Sequence, residues 1–249
     1  MKGWWVLLLL WCQLASAGPV LNIYADAYPP FIQVTGEHLS GPYVDVFTRL
    51  AKQQGIEINL QAKPMRRLLK IVATEPNSCG LGVHFSAENA ETLRYVARIA
   101  PITLAVYARQ ETIPPLSNIE ALRNYRIGAI DVAELRELLD NAAIRYELLP
   151  KASLGIAMLQ AGRFDLLISD ELPELITAPR HKNRLQRVMI LARVERWLAC
   201  HPQLPPDRVK RLRTSLSLGV FGDAMADIWQ GYGLSSVYEG VRREWIVIP

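Results

Sequence analysis

Two adjacent carboxylates follow a short apolar run in the stretch GRFDLLISDELPEL, residues 162–175. The run Leu166–Ile168 stops at Ser169, and Asp170 and Glu171 come next. Two interpretations are open. The carboxylates can be a solvated strand end followed by a helix start, or Asp170 can lie at the mouth of a cleft and hold a cation. A charge-assisted hydrogen bond at such a place is among the stronger polar contacts.

Catalysis by these residues would need a general acid or base, for which His84, Asp170 and Glu171 are the obvious candidates. The sequence contains no G-x-S-x-G elbow, no H-E-x-x-H pair and no cysteine of the predicted mature chain in a nucleophile motif. We therefore expect a binding protein without catalytic residues, bound metal or cofactor.

The first 17 residues have the pattern of a secretory signal peptide. Lys2 precedes an apolar core, Trp4–Leu14, and the triplet at 15–17 is a small-x-small cleavage site. Cys12 follows a tryptophan, whereas a lipoprotein signal needs a small residue there. We predict cleavage after Ala17 and release of the mature chain 18–249 into the periplasm, since no later apolar run is long enough to span a bilayer.

Charge and length place few constraints on the partner. The formal net charge of +4 falls to +3 in the mature chain, because only Lys2 is lost. Basic residues are scattered apart from a cluster at Arg193–Arg213, and no aromatic-basic module indicates nucleic acid. The length suits one large domain or two lobes of ordinary size, and we expect a monomer.

Two cysteines, Cys79 and Cys200, remain after the predicted cleavage. An oxidising compartment favours a disulfide between them, and the alternative is two separately buried thiols. His201 is adjacent to Cys200, which is a poor spacing for joint metal chelation.

Strand and helix patterns alternate along the chain. Apolar residues at Val46, Leu50 and Ala51 form a helical stripe, whereas IEINLQA, residues 56–62, alternates as a strand does. Further helices are predicted at 65–74, 133–142, 153–161, 207–218 and 222–232. A separate helix start of the S-x-x-E capping-box type lies at Ser117–Glu120. Further strands are predicted at 20–25, 79–85, 102–109, 126–130, 144–149, 164–169 and, as an extended segment, 188–199.

This order predicts an α/β fold of two lobes, each with a largely parallel sheet. The chain crosses between the lobes near Arg109–Pro114 and returns near Val188–Trp197, and two crossings make a hinge. We therefore expect lobe 1 to comprise 18–109 and 194–249, and lobe 2 to comprise 110–193. Ligand sites in such sheets lie at the carboxyl ends of strands, which here would face one another across a cleft.

The chain resembles the periplasmic solute-binding proteins of polar amino-acid ABC transporters, the family 3 extracellular solute-binding proteins, over nearly all of 20–233. No single motif is highly specific, but their order and spacing together are. The motifs are ADAYPPF at 25–31, GPYVDVFTRLAKQQGIEINLQ at 41–61, the loop after Gly82–Ser86 with RIAPI at 98–102, GRFDLLISDELPEL, and WLACHPQLPP followed by GDAMADIWQGYG.

The resemblance implies a type II periplasmic-binding-protein-like fold that closes on a small polar solute and offers it to an inner-membrane ABC permease. It implies that Tyr28 stacks on the ligand, that Asp170 receives the ligand's α-ammonium group, and that His84 and Ser86 donate to its carboxylate. Structural alternatives stay open for each: a surface ring packed on Pro29-Pro30, a solvated strand end, and a structural histidine. Glu171 is interpreted as a helix-start residue.

The sequence departs from the family pattern at two places. The family's carboxylate-binding arginine falls on Thr92 when counted back from Pro101, so we predict that Arg94, two residues away, takes this role. Asp131 stands where the family has small residues opening an anion-binding helix, and it would repel an anion or cap that helix. From the second helix, Arg67 could reach the cleft, or lie on a solvated face as we expect for Arg66.

Transport binding is therefore the predicted function, with two alternatives. One is a periplasmic, dehydratase-like enzyme on the same scaffold, using His84, Asp170 or Glu171. The other is a ligand-sensing module, although sensors of this fold usually carry a membrane segment and a signalling domain, which we do not find in this sequence.

Overall fold

The computed structural model describes residues 19–109, 112–149, 152–170 and 185–245, so the predicted signal peptide and Glu171 lie outside the described residues. The strands are β1 (Leu21–Ala25), β2 (Gln33–Thr35), β3 (His38–Ser40), β4 (Ile58–Ala62), β5 (Ser78–His84), β6 (Arg94–Arg109), β7 (Ile127–Ile130), β8 (Glu147–Leu149), β9 (Leu166–Asp170) and β10 (Leu185–Cys200). The α-helices are α1 (Pro42–Gln53), α2 (Met65–Thr74), α3 (Ala87–Ala90), α4 (Ala133–Asn141), α5 (Ala152–Gln160), α6 (Pro206–Ser215), α7 (Ala226–Gly231) and α8 (Ser235–Trp245).

One mixed sheet of eight strands, in the order β4-β1-β5-β10-β6-β9-β7-β8, runs through the molecule. The strands β4, β1 and β5 are parallel in one half, and β9, β7 and β8 are parallel in the other. Between these halves lie β10 and β6, antiparallel to each other and to their outer neighbours. Both are 16 residues long, so each contributes to both halves.

Each half of the sheet is packed with helices on both faces. In the first half, α1 and α7 bury Phe47 and Trp229 in the largest apolar cluster, and α2 buries Leu68 in a smaller one. In the second half, α4 buries Leu135 and α5 buries Leu159. Parallel strands need such double coverage. The predicted two-lobed α/β fold is confirmed, whereas the exact lobe boundaries stay a prediction, because β6 and β10 belong to both halves.

The first helix follows its predicted pattern. Val46, Leu50 and Ala51 are all buried, and Pro42 stands in the first turn, where its missing N–H costs nothing. Asn118, not Ser117, begins the short 3-10 helix Ile119–Asn124, since its side chain accepts a hydrogen bond of 3.0 Å from the N–H of Ala121.

Several features differ from the sequence prediction. The sequence patterns did not indicate the β2–β3 hairpin or the helix α8. The strand predicted at 102–109 begins at Arg94, because β10 supplies antiparallel partners along its whole length. Three-residue strands are too short for a periodicity to show, and pairing with a distant strand leaves no local signal.

A disulfide joins Cys79 and Cys200, as predicted. The two residues face each other across the β5–β10 pair and are separated by 121 residues in sequence. The disulfide thus links β5 to the last residue of β10.

Candidate functional site

The carboxyl ends of β5 and β9 converge on the middle of the sheet. Arg196 on β10 pairs with His84, the last residue of β5, and with Ala100 on β6. Asp170, the last residue of β9, pairs with Leu104 on the same strand β6. Four residues of strand span about 13 Å, so the two strand ends meet from opposite halves of the molecule. This is the geometry at which α/β sheets place ligand sites.

A buried ion pair occupies this meeting point. An Nη2–Oδ2 distance of 3.1 Å joins Arg196 to Asp170, whose residues are 6% and 3% exposed. The guanidinium also lies 3.6 Å above the ring of Tyr28, a cation–π contact. Ser169 donates its hydroxyl to Oδ1 of Asp170 at 3.0 Å. Side chains from both halves therefore meet around one guanidinium.

Local backbone structure explains how Tyr28 and Arg196 reach each other. Tyr28 lies in a tight loop after β1, closed by two backbone hydrogen bonds of 2.8 Å with Ile32, and its ring packs on Phe31 and Tyr43. In β5, Gly82 is an extra residue between the register pairs of Leu81 and Val83. Its φ of 79° is a bulge conformation that glycine adopts freely.

The bulge turns a carbonyl oxygen toward the ion pair. The Nη1 atom of Arg196 donates to the carbonyl of Gly82 at 3.0 Å. Together with Asp170 and the Tyr28 ring, this contact fixes the guanidinium on three sides. A buried arginine needs such compensation for its lost hydration.

Burial and the paired charges shift several pKa values at this site. Burial, reinforced by the charge of Asp170, raises the pKa of Tyr28 well above its usual value. Burial also raises the pKa of Tyr43. Burial by itself lowers the pKa of Arg196, but Tyr28 and Asp170 outweigh that effect and the net direction is upward. Arg196 is therefore a cation beside two neutral phenols.

Burial, followed by the charge of Arg196, lowers the pKa of His84 well below the ordinary 6.5. The unfolded chain takes up a proton below pH 6.5 that the folded chain does not, so folding stability must fall as the pH falls. We expect this histidine to lower the free energy of unfolding by about 1.4 kcal/mol for each pH unit below pH 6.5. Urea unfolding at pH 7.5, 6 and 5 measures how the free energy of unfolding depends on pH. The variant His84→Gln should lack the contribution of His84 to that dependence. The exposed His38, changed to glutamine, is the control. A His84→Gln slope equal to that of the unchanged protein would contradict the expectation.

Of the six predicted ligand-binding residues, the structure brings Tyr28, His84 and Asp170 together. Ser86 lies two residues beyond His84, where its hydroxyl caps α3 by accepting a hydrogen bond of 3.2 Å from the N–H of Asn89. The cap leaves the hydroxyl hydrogen of Ser86 able to donate to another group. Arg67 is exposed on the first turn of α2.

Arg94 is not brought to this cluster. It is exposed, pairs with Cys200 at the end of β10, four residues beyond Arg196, and donates to the carbonyl of Leu204 at 3.4 Å. The antiparallel register of β6 and β10 places it there, so the carboxylate-binding role of Arg94 stays a prediction, one that this position does not support.

Asp131 also differs from its predicted roles. The N-cap residue of α4 is Val132, and Asp131 instead contacts Arg66 at 3.1 Å and Arg136 at 3.3 Å. The contact with Arg66 joins α2 of the first half to the loop after β7 of the second. The Arg66 side chain is 86% exposed, so this bridge contributes little to stability. It does show that a side chain of one half contacts a side chain of the other.

Arg196 is the residue that sequence reasoning missed. The sequence alone groups it with the basic cluster at 193–213. The sequence does contain a usable signal. In β10, Arg196 points to the same face as the apolar Val194 and Leu198, because residues two apart in a strand share a face. Arg193 and Glu195 point to the other face. A charge in the apolar phase of a strand indicates a buried partner.

These features define the class of fold: two α/β lobes joined by two long strands, with polar side chains where the lobes meet, as in periplasmic binding proteins. No protein-family model matches the chain, and no curated protein matches its sequence. Solved structures do match it. A histidine kinase sensor domain with similarity to periplasmic binding proteins has a TM-score of 0.70 and 17% identity, over 92% of this chain and 96% of that domain.

Two ligand-binding proteins match similarly well. The GluR0 ligand-binding core from Nostoc punctiforme, in complex with L-glutamate, has a TM-score of 0.68 and 19% identity, over 90% of this chain and 98% of that one. The arginine-, lysine- and histidine-binding protein ArtJ from Geobacillus stearothermophilus has a TM-score of 0.70 and 15% identity, over 86% and 95%. At these identities the matches establish the fold.

None of the helices in the described ranges combines the length and apolar character needed to cross a membrane.

Proposed function

We propose that the protein is a periplasmic solute-binding protein, which captures a small polar solute between its two lobes for delivery to an ABC permease. The observation that carries the proposal is the convergence of Tyr28, His84 and Asp170, from both lobes, at the carboxyl ends of the strands. Lobe closure around a solute removes the charges of the solute from water, and each charge then needs a partner. The predicted signal peptide supports the periplasmic location, and we propose that the protein acts as a monomer with lobe 1 at 18–109 and 194–249.

The matching structures support a small polar ligand, since GluR0 and ArtJ bind amino acids. The match to a histidine kinase sensor domain supports a second candidate, in which the same closure signals to a partner instead of supplying a permease. Both candidates share the solute site and differ in the surface that reads the closed state. No observation on the described residues, which do not include Glu171, favours the dehydratase-like alternative.

Thermal unfolding in the presence of candidate solutes tests the shared claim. A library of amino acids, small carboxylic acids, polyamines and sugar acids should contain at least one member that raises the melting temperature. A ligand at 100 times its Kd adds about 2.7 kcal/mol to the stability of the folded state. Tyr28→Leu should weaken that ligand at least about tenfold through loss of ring contact, whereas Tyr146→Leu, in the second lobe, should not.

Two results would contradict this proposal. Melting curves that no library member changes would argue against solute binding, and turnover of a member would favour the enzyme on this scaffold. To separate transport from sensing, the ligand-bound protein can be presented to membranes containing the permease encoded nearest to it. Ligand-dependent stimulation of ATP hydrolysis supports transport, and its absence supports sensing.

A further inference from the structure

Two buried nitrogen atoms beside the ion pair have no hydrogen-bond partner. They are Nε of Arg196 and Nδ1 of His84, and no other buried side-chain polar atom in the described part of the chain shares this condition. The two residues are opposite each other in the β5–β10 register, which places their Cβ atoms about 5 Å apart. Since buried polar groups are almost always paired in folded proteins, such a pair of neighbours points to a ligand group.

The carboxylate of Asp170, by contrast, already has a hydrogen-bond partner at each oxygen. One oxygen of Asp170 accepts from Ser169 and the other from Arg196. A positively charged ligand group that approaches this carboxylate meets the guanidinium that already neutralises it. Arg196 thus takes the place that a ligand ammonium group would otherwise occupy, with its cation over the Tyr28 ring.

The free hydrogen-bonding capacity is of the donor type. The Nε–H of Arg196 can only donate, and a neutral imidazole can carry its proton on Nδ1 and donate as well. The remaining guanidinium contacts, to Gly82 and Asp170, leave the Nε edge unused. Two neighbouring donors of this kind match the two oxygens of one carboxylate, and arginine is the residue best suited to that group.

We propose that the solute is recognised through a carboxylate held by Arg196 and His84, and that the site requires no ammonium group on the ligand. The ligand class is therefore small carboxylic acids, with or without an amine. The inference rests on the proposed function, because it names the chemistry of the solute bound between the lobes.

Matched analogues test the chemistry directly. Titration calorimetry would compare three amino acids with the acid that lacks the α-amine and the amine that lacks the α-carboxylate. The sets are alanine, propionate and ethylamine; serine, 3-hydroxypropionate and ethanolamine; and arginine, 5-guanidinopentanoate and agmatine. Within the set that binds, removal of the amine should change Kd by less than about tenfold, and removal of the α-carboxylate should raise it at least about 100-fold, since hydrogen bonds to a charged group are among the stronger ones.

Two variants separate the roles of the paired side chains. Arg196→Lys keeps the charge, and hence the partner of Asp170, but has no Nε–H, so it should weaken the carboxylate at least about tenfold. Arg193→Lys, at an exposed position on the same strand, is the control and should change Kd less than about twofold. Asp170→Asn should tighten carboxylate binding about threefold or more, because it removes a competing negative charge.

The outcomes distinguish this inference from the proposed function. If amino acids and amines bind but the amine-free acids do not, solute binding stands and the carboxylate inference is overturned. Weaker binding of the amine by Asp170→Asn, with carboxylate binding no tighter than before, overturns it as well, because that result gives the aspartate an ammonium-binding role. If neither these nine probes nor the library above binds, the proposed function itself is contradicted.

Discussion

Replacement of Arg196 by glutamine is expected to lower the free energy of unfolding by about 3–5 kcal/mol at pH 7. The reason is that Asp170 lies at 3% exposure and has Arg196 as its charged partner, 3.1 Å away. Without it, the carboxylate is a buried and uncompensated charge, which must either remain unpaired or take up a proton. Urea unfolding followed by circular dichroism measures the loss.

Matched variants show whether the loss comes from the ion pair. Arg193→Gln, exposed on the same strand, should change stability by less than about 0.5 kcal/mol. Adding Asp170→Asn to Arg196→Gln should recover part of the loss, because no charge is then left buried. A single variant as stable as the control would mean that the pair is open to solvent.

Loss of the disulfide has the second largest expected effect. Changing Cys79 and Cys200 together to alanine should lower the free energy of unfolding by about 4 kcal/mol, within the ordinary range of about 2–5 kcal/mol. The bond closes a loop of 121 residues, and long loops restrict the unfolded chain most. Both cysteines are fully buried, so two small cavities add to the cost.

Reductant provides the internal control for this prediction. Dithiothreitol should destabilise the unchanged protein by nearly the same amount and leave the alanine pair unaffected. Thiol titration of the denatured mature chain, from residue 18 onward, should find no free thiol before reduction and two afterwards. Two free thiols at the start, or a loss below about 1 kcal/mol, would contradict the prediction.

Much of the fold could be predicted because its signals are local. The stripe of α1, the alternation at 56–62 and the order of strands and helices each follow from neighbouring residues and their periodicity. The hairpin β2–β3 escaped because three residues carry no period, and the extension of β6 to Arg94 escaped because its partner β10 is about a hundred residues away. Hydrogen bonds to a distant strand leave no trace in the sequence of the strand itself.

The site was predictable in part for the same reason. Asp170 and His84 end strands, and Tyr28 follows one, so local patterns could place all three at strand ends, whereas their ligand-binding roles came from the resemblance. The prediction for Arg94 came from counting residues back from Pro101. Such a count does not give the register between β6 and β10, and that register places Arg94 near Leu204. To predict Arg196, one would need to know that its side chain lies on the buried side of β10. One would also need to know that the bulge at Gly82 leaves a carbonyl oxygen within hydrogen-bond distance of it.

The two lobes are proposed to hold a small solute where Tyr28, Asp170 and Arg196 meet. The most direct measurement is a crystal structure with the acid that gives the largest thermal shift. We predict that an oxygen of the solute lies within hydrogen-bond distance of Nε of Arg196, with the Tyr28 ring at its side. A solute bound on the outer surface, with these three side chains still in contact only with protein, would contradict the account.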